Sequence, residues 1–345
     1  MTAKALVSHQ RADTSDPGEA DFTNLDLVYF PFNDAKINTT TAELGLSGKA
    51  GWLDWVGGMF LSQEKLAVTN SILLGDDAGE FVCSNIANAP PASPAPGVSL
   101  PGAPIPPSTV PACTVAGPQA FPSGSGQTLN ESHQVGKSAS LFTHNIVNLP
   151  YDVDLTIGLR YLLEKKDGGG VSESNSPSCN IPLGTPGVPA ALRVLCGAPE
   201  YQTTFNDRRI TGTGGLSKTF FDRAFLYASY SSGFKSGGIN LNPSSTNGGT
   251  LTFQPEKVQA YELGLKVPFF DKKLTTRLAY FYSDFTDYQL NFFDGTAFVI
   301  SNAGQVVSRG LELETTLTPF KRLKLGAGVT YADAFFGKRT ADATL

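Results

Sequence analysis

Apolar and polar side chains take turns along most of this chain, with the period of extended strands. From Asp152 onward, Val153, Leu155, Ile157, Leu159, Tyr161 and Leu163 fall on one face, while Asp154, Thr156, Gly158, Arg160 and Glu164 fall on the other; only Leu162 is out of phase. After Lys321, Leu323, Leu325, Ala327, Val329 and Tyr331 oppose Lys324, Gly326, Gly328 and Thr330, and just before it Leu311, Leu313 and Leu317 oppose Glu312, Glu314 and Thr316. Ala42, Leu44 and Leu46 alternate with Glu43, Gly45 and Ser47 in the same way. A period of two is what a pleated strand with two unlike faces requires.

The connections also alternate in kind. Short ones read Lys49-Ala50-Gly51, Leu149-Pro150-Tyr151-Asp152, Phe220-Phe221-Asp222, Pro268-Phe269-Phe270-Asp271 and Pro319-Phe320-Lys321, and four of these five carry Phe or Tyr. Between them lie long polar stretches at about 12–36, 65–132, 167–205, 237–254 and 291–303. The pattern predicts eleven strands, roughly 2–11, 37–48, 52–64, 133–148, 151–166, 206–219, 223–236, 255–268, 271–290, 304–319 and 321–336. Short turns then share one side and long loops the other, the organisation of an all-β, antiparallel transmembrane barrel. Rings in the turns fit the headgroup level, where an apolar body and a polar edge are both satisfied. A soluble sandwich also alternates, but its loop lengths do not sort by side.

Composition sets limits on this reading. The 345 residues include 36 Gly, 23 Pro and 23 Phe, and the mean hydropathy of −0.09 is that of a soluble protein. A barrel hides in such numbers, because half of each strand faces a polar interior. No run of 18 apolar residues exists, so any membrane crossing falls to strands. The formal net charge of −5 provides no basic footprint for nucleic acid. A charged side chain turned toward lipid costs roughly 2–4 kcal/mol near the midplane. Arg160, Glu164, Glu262, Lys266, Glu312, Glu314 and Lys324 are therefore expected to face the lumen.

The long connections hold what chemistry there is. Ala89-Pro90-Pro91-Ala92-Ser93-Pro94-Ala95-Pro96 cannot form ladder bonds and is expected to run extended, either capturing ligand or as a plain insertion. The four cysteines sort by loop, Cys83 and Cys113 in one and Cys179 and Cys196 in the next. Of the three possible connectivities, within-loop pairing, Cys83–Cys113 and Cys179–Cys196, is expected, as suits an oxidising export route. A metal site fits poorly: C-x-x-C spacing is absent and His9, His133 and His144 are scattered. No nucleophile–base pair or phosphate-binding glycine loop is found, so neither an enzyme nor a cofactor is expected. Phe292, Phe293 and Phe298 are candidate ligand contacts, though rings near an outer rim are commonly belt residues.

The stretch Tyr227-Ala228-Ser229-Tyr230-Ser231-Ser232-Gly233-Phe234-Lys235-Ser236-Gly237-Gly238-Ile239-Asn240 resembles the barrel of TonB-dependent receptors, as do Phe253-Gln254-Pro255-Glu256 and Tyr261-Glu262-Leu263-Gly264-Leu265-Lys266. Ala279-Tyr280-Phe281-Tyr282, Asp287-Tyr288-Gln289, Asn302-Ala303-Gly304 and Ser308-Arg309-Gly310-Leu311-Glu312-Leu313 add to the set, and so does Gly158-Leu159-Arg160-Tyr161. The Gly-Phe-Lys-Ser-Gly-Gly segment is expected where a strand leaves the membrane, its glycines allowing a turn and its residues shaping the barrel rather than touching ligand.

The resemblance implies a 22-stranded barrel filled by an N-terminal plug, monomeric, in the bacterial outer membrane. A TonB-type partner supplies the energy through the plug. Its substrate would be a scarce solute, most commonly a ferric siderophore. Met1-Thr2-Ala3-Lys4 is expected to lead into a strand rather than an apolar signal segment, and the plug and the terminal aromatic strand that the resemblance implies are not expected within these residues. Residues 1–345 are thus expected to be the middle half of such a receptor. A plugless diffusion channel and an adhesive or structural surface barrel are the alternatives.

Overall fold

A computed structural model describes residues 1–19, 24–81, 124, 126–176, 196, 200–221, 223–241, 251–270, 273–293 and 298–337. In chain order the strands are β1 (Thr2–Ser15), β2 (Gly18–Glu19), β3 (Val28–Ala50), β4 (Leu53–Leu74), β5 (Thr128–Leu149) and β6 (Val153–Ser174). Then follow β7 (Tyr201–Phe220), β8 (Ala224–Lys235), β9 (Gly238–Ile239), β10 (Thr252–Phe253) and β11 (Glu256–Phe269). The last are β12 (Leu274–Thr286), β13 (Tyr288–Phe293), β14 (Phe298–Ala303), β15 (Val306–Phe320) and β16 (Leu323–Phe336). Eleven long strands form one antiparallel sheet in the order β1-β3-β4-β5-β6-β7-β8-β11-β12-β15-β16, with β2 added beside β3. β9–β10 and β13–β14 are separate small hairpin sheets. Each long strand pairs with the next in sequence, as in a meander rolled toward a barrel.

The register carries the alternation from strand to strand. Ala5, Leu44, Met59, Leu141, Tyr161 and Ile210 stand opposite one another in a continuous row. Leu226, Leu265, Leu278, Leu313 and Val329 make another. One step along the strands, Lys4, Gly45, Gly58, Phe142, Arg160 and Thr211 line up on the opposite face. So do Lys266, Arg277, Glu314 and Gly328. The sheet therefore has one apolar and one polar face over its whole width. Leu162, out of phase in sequence, lies on the polar face between Ser140 and Arg209.

The apolar face is uncovered: Leu159 is 54% and Ile210 72% exposed. In water this would be an aggregation surface; against acyl chains it is the ordinary outside of a barrel. A sandwich would have buried these side chains under a second layer. On β6 the apolar positions run from Val153 to Leu163, eleven residues, the length of strand that crosses a bilayer.

Four of the strands are much longer than the crossing: β3, β4, β5 and β6 have 22 or 23 residues. The loops expected at 12–36, 65–132 and 167–205 are accordingly partly strand, because β1 continues to Ser15, β3 begins at Val28, β4 ends at Leu74, β5 starts at Thr128, β6 ends at Ser174 and β7 begins at Tyr201. Beyond the bilayer both faces are wet, so ladder bonds persist without a period-two signal. The expected strand 271–290 is also divided. Asp287, at φ 55°, takes the chain out of the main sheet, and β13 pairs with β14 across most of what sequence marked as loop 291–303. The loop 237–254 likewise contains the β9–β10 pair.

Every short turn presents an aromatic ring to the surroundings: Trp52, Tyr151, Phe221, Phe270 and Phe320 are all largely exposed. Tyr151, Phe221 and Phe270 adopt positive φ, a conformation that is uncommon for bulky residues. The rings' interfacial preference gives a reason to keep them there. The first turn also has its ring, Trp52, one residue past the Lys49-Ala50-Gly51 core.

In the full-length protein, Leu159→Arg should destabilise the folded barrel by about 2–4 kcal/mol, since it places charge at mid-bilayer depth. Thr156→Arg, on the polar face, should cost far less. Denaturant titrations of both variants in lipid vesicles check this, and equal losses would refute the assignment of faces.

Candidate functional site

At the long-loop end, the chain leaving β8 does not continue outward. Residues 236–241 fold back over the polar face of β6 and β7. Lys166 holds the fold: its Nζ donates to Ser236 Oγ at 2.8 Å and to the Gly237 carbonyl at 2.6 Å. The ammonium also lies 3.6 Å from Glu164 and 6.0 Å from the Phe205 ring centroid. Ser236 in turn donates to Glu164. The Lys166 and Glu164 side chains are only 17% and 16% exposed, so each charge depends on the other and on these hydrogen bonds.

Beside this pair, Tyr201, Phe205 and Ile239 bury one another, with Leu241 and Leu251 packed against them. The Tyr201 hydroxyl donates to the Asn240 carbonyl at 3.2 Å, and burial pushes its pKa upward. Ser132 donates to the Leu241 carbonyl at 2.6 Å. Asn240 joins this segment to β14 through its Nδ2 on the Ile300 carbonyl (3.0 Å) and the Ile300 N–H on its Oδ1 (2.9 Å). Gln289 Nε2 donates to the carbonyls of Ser236 (2.9 Å) and Gln254 (3.1 Å). Asn302 bridges Gln254 and Asp287 with donations of 2.8 and 2.7 Å. The result is a shelf set inward at the mouth and tied to the β13–β14 hairpin.

The glycines of this segment act differently from the sequence expectation. Among the described residues, positive φ occurs at Gly51, Gly124 and Gly126 but at neither Gly237 nor Gly238, so no turn requires them. A Cβ on Gly237 would stand 2.5 Å from the Phe253 carbonyl and 2.6 Å from the Phe205 ring. Opposite, a Cβ on Gly168 would stand 2.9 Å from the His133 carbonyl and 3.2 Å from Ile239 Cδ1. Close approach of the shelf to the barrel wall is what excludes side chains here.

All seven charged residues read from sequence lie on the polar face by register: Arg160 and Glu164 on β6, Glu262 and Lys266 on β11, Glu312 and Glu314 on β15, Lys324 on β16. They are spread over the sheet. Tyr227 donates to Glu262, Arg160 stacks over Phe60 at 5.8 Å, and Arg277 pairs with Glu314 at 3.1 Å. Glu164 alone belongs to the shelf. Phe292, Phe293 and Phe298 lie on the β13–β14 hairpin, where Phe292 faces Val299 and Phe293 faces Phe298 in the ladder; their side chains lie outside the described residues. Cys83, Cys113 and Cys179 also lie outside them, and Cys196 is disulfide-bonded.

Sequence reading missed Lys166, Ser236, Asn240, Gln289 and Asn302 as a unit. They carry no periodic signal, although the run Gly168-Gly169-Gly170 inside a strand marks a close approach.

The family model described as TonB dependent receptor-like, beta-barrel, matches residues 9–344. Among solved structures, the ferric yersiniabactin uptake receptor FyuA from Yersinia pestis superposes with a TM-score of 0.65 at 16% identity, covering 97% of this chain and 40% of that one. The siderophore receptor PiuA from Acinetobacter baumannii gives 0.58 at 16% identity, covering 98% and 45%. The copper transporter OprC gives 0.60 at 13% identity, covering 97% and 43%. The chain thus spans less than half the length of these relatives.

Gly237→Ala in the full-length protein should cost about 1–3 kcal/mol through overpacking and loosen the shelf. The expected readout is faster amide exchange at Asn240, whose N–H donates to the Leu251 carbonyl at 2.8 Å, with exchange in the crossing part of β6 unchanged.

Proposed function

The chain belongs to the β-barrel family of TonB-dependent receptors, bacterial outer-membrane proteins, and from that membership we propose that the whole protein captures a scarce solute at its outer mouth and imports it to the periplasm. The solute class is an iron chelate of the siderophore type. The inward shelf at 236–241 is the observation that carries this reading. Its amides at Asn240 and Gln289 are buried and spent within the shelf, so it acts by narrowing the entrance and fixing the β13–β14 hairpin where a ligand arriving from outside meets it before the lumen. The β13–β14 hairpin, with Phe292, Phe293 and Phe298, extends the same surface through Asn240 and Ile300.

In this reading the polar face lines the lumen, and Arg160, Glu164, Glu262, Lys266, Glu312, Glu314 and Lys324 face a plug domain or the water around it. The plug passes energy from a TonB-type partner, and the receptor works as a monomer. The two within-loop disulfides restrict the outer loops. A ferric yersiniabactin uptake receptor and a copper transporter among the structural neighbours support a metal-bearing cargo.

The test uses the full-length protein. Lys166→Met with Ser236→Ala removes the clamp from the shelf while leaving the crossing strands intact. Binding of a panel of ferric siderophores should weaken at least tenfold for the cognate member, and growth on that chelate as sole iron source should slow. Lys49→Gln, at the short-turn end and paired only with Asp54 among the described residues, should leave both unchanged. Unaltered affinity in the clamp variant, with a panel member bound tightly, would remove the shelf from the binding site. Failure of every panel member to bind the wild type would overturn the substrate class.

A further inference from the structure

Above the apolar band, the polar face of β3, β4 and β5 becomes the inner wall of the outer mouth, and it is almost uncharged. The ladder sets Ile37, Leu66 and Gln134 in one row across the three strands, and Asn33, Asn70 and Asn130 in another, four residues further out. All six stand at least thirteen residues along their strands from the short-turn ends at Ala50, Leu53 and Leu149. With a rise near 3.3 Å per residue and a tilt near 40°, both rows lie past a band about 25 Å tall. All six side chains are half-buried. Asn130 donates to Asn70 at 2.8 Å. On this face from Thr39 to Asn33, and across to β5, the single charged side chain is Glu64, which accepts from Thr39 at 3.4 Å. Ser132 of the same wall donates to the Leu241 carbonyl, so wall and shelf border one another.

The cations of the mouth are spent. Among the described residues, those that register places on the inner face above the band are Lys166, Arg209 and Lys235. Lys166 is bound within the shelf. Arg209 meets Asp207 at 2.9 Å, with their side chains only 25% and 10% exposed. Lys235 stands opposite Glu256 in the β8–β11 ladder, where opposite charges offset one another. The sequence of the long connections adds carboxylates instead of cations. Between the eleven long strands, at 16–27, 75–127, 175–200, 236–255 and 287–305, it holds ten Asp or Glu and one cation, Arg193. Residues 81–130 contain no Asp, Glu, Lys, Arg or His.

Resting on the uptake reading above, we propose that the cargo is an iron chelate without net negative charge, as hydroxamates form, and that anionic catecholate and citrate chelates are refused. Hydroxamate monoanions just neutralise the ferric ion, whereas catecholate and citrate chelates keep excess negative charge. An anion set against this wall gives up hydration and gains no cation in return. It also approaches past a rim of carboxylates whose field reaches about 8 Å at physiological salt and disfavours like charge. A neutral chelate meets neither cost. Amides that both donate and accept, beside Ile37 and Leu66, match its oxygens and methylenes.

The experiment sorts the siderophore panel of the uptake test by the net charge of the ferric complex and measures binding to the full-length protein by calorimetry in detergent. A neutral ferric trihydroxamate should bind at least tenfold more tightly than ferric tricatecholate or ferric citrate. Glu64→Lys, which reverses the charge of the wall, should tighten binding of the two anions at least threefold and leave the trihydroxamate within twofold. Lys165→Gln, on the outward face, should change none of the three. A negatively charged tightest binder, or no gain for the anions in Glu64→Lys, would overturn the proposal and leave the uptake reading standing. Binding of no panel member removes the uptake substrate class, and this assignment with it. Should Glu64→Lys not fold, as judged by heat-dependent gel mobility, Gln134→Lys places a cation on the same face and carries the same expectation.

Discussion

In hydrocarbon no water is present to pair a free N–H or C=O, and each unpaired group there costs several kcal/mol. That constraint organises the whole structure. It requires the crossing segments to be hydrogen-bonded strand to strand, which the eleven-strand ladder does without interruption from β1 to β16. It also makes β1 and β16, the edges of this sheet, positions where further strands must pair when the sheet stands in lipid. Once backbone pairing is satisfied by neighbours, side chains are free to divide by face alone, and lipid decides the division. Hence the same ladder that satisfies the backbone also produces the row Ala5, Leu44, Met59, Leu141, Tyr161, Ile210 and, one residue away, the row that contains Lys4, Phe142 and Arg160.

What could be read from sequence follows from where that constraint applies. Between Leu155 and Leu163 the bilayer imposes a period of two, so strand and faces were legible residue by residue. Above the bilayer, Thr69-Asn70-Ser71 pair as regularly as the residues below them, yet nothing in their chemistry distinguishes one face from the other. The upper strands were therefore taken for loop. The β13–β14 hairpin was hidden for a different reason: its departure from the main sheet turns on one backbone angle, at Asp287, which hydropathy cannot register. The shelf was partly visible, since Ser236-Gly237-Gly238-Ile239-Asn240 stood out as a set, but its partners Lys166 and Gln289 are 70 and 53 residues away. Its glycines were legible as special and were given the wrong reason.

Lys165 and Lys166 show how far the two faces differ in function. The residues are adjacent in sequence and alike in chemistry, and pleating sends them to opposite sides of one wall. Lys166 is inward, largely buried, and bound to Ser236, Gly237 and Glu164; its charge is consumed in fixing the shelf. Lys165 is outward, more than half exposed, and pairs with Asp167 at 2.9 Å. A slip of one residue in the β5–β6 register would exchange them, aim Glu164 at the headgroups and turn Leu163 into the lumen. The lipid-facing row below the pair prevents that slip, because it would drive Arg160 into hydrocarbon. The geometry of the mouth is thus set some distance beneath it, by the preference of Leu159 and Tyr161 for acyl chains.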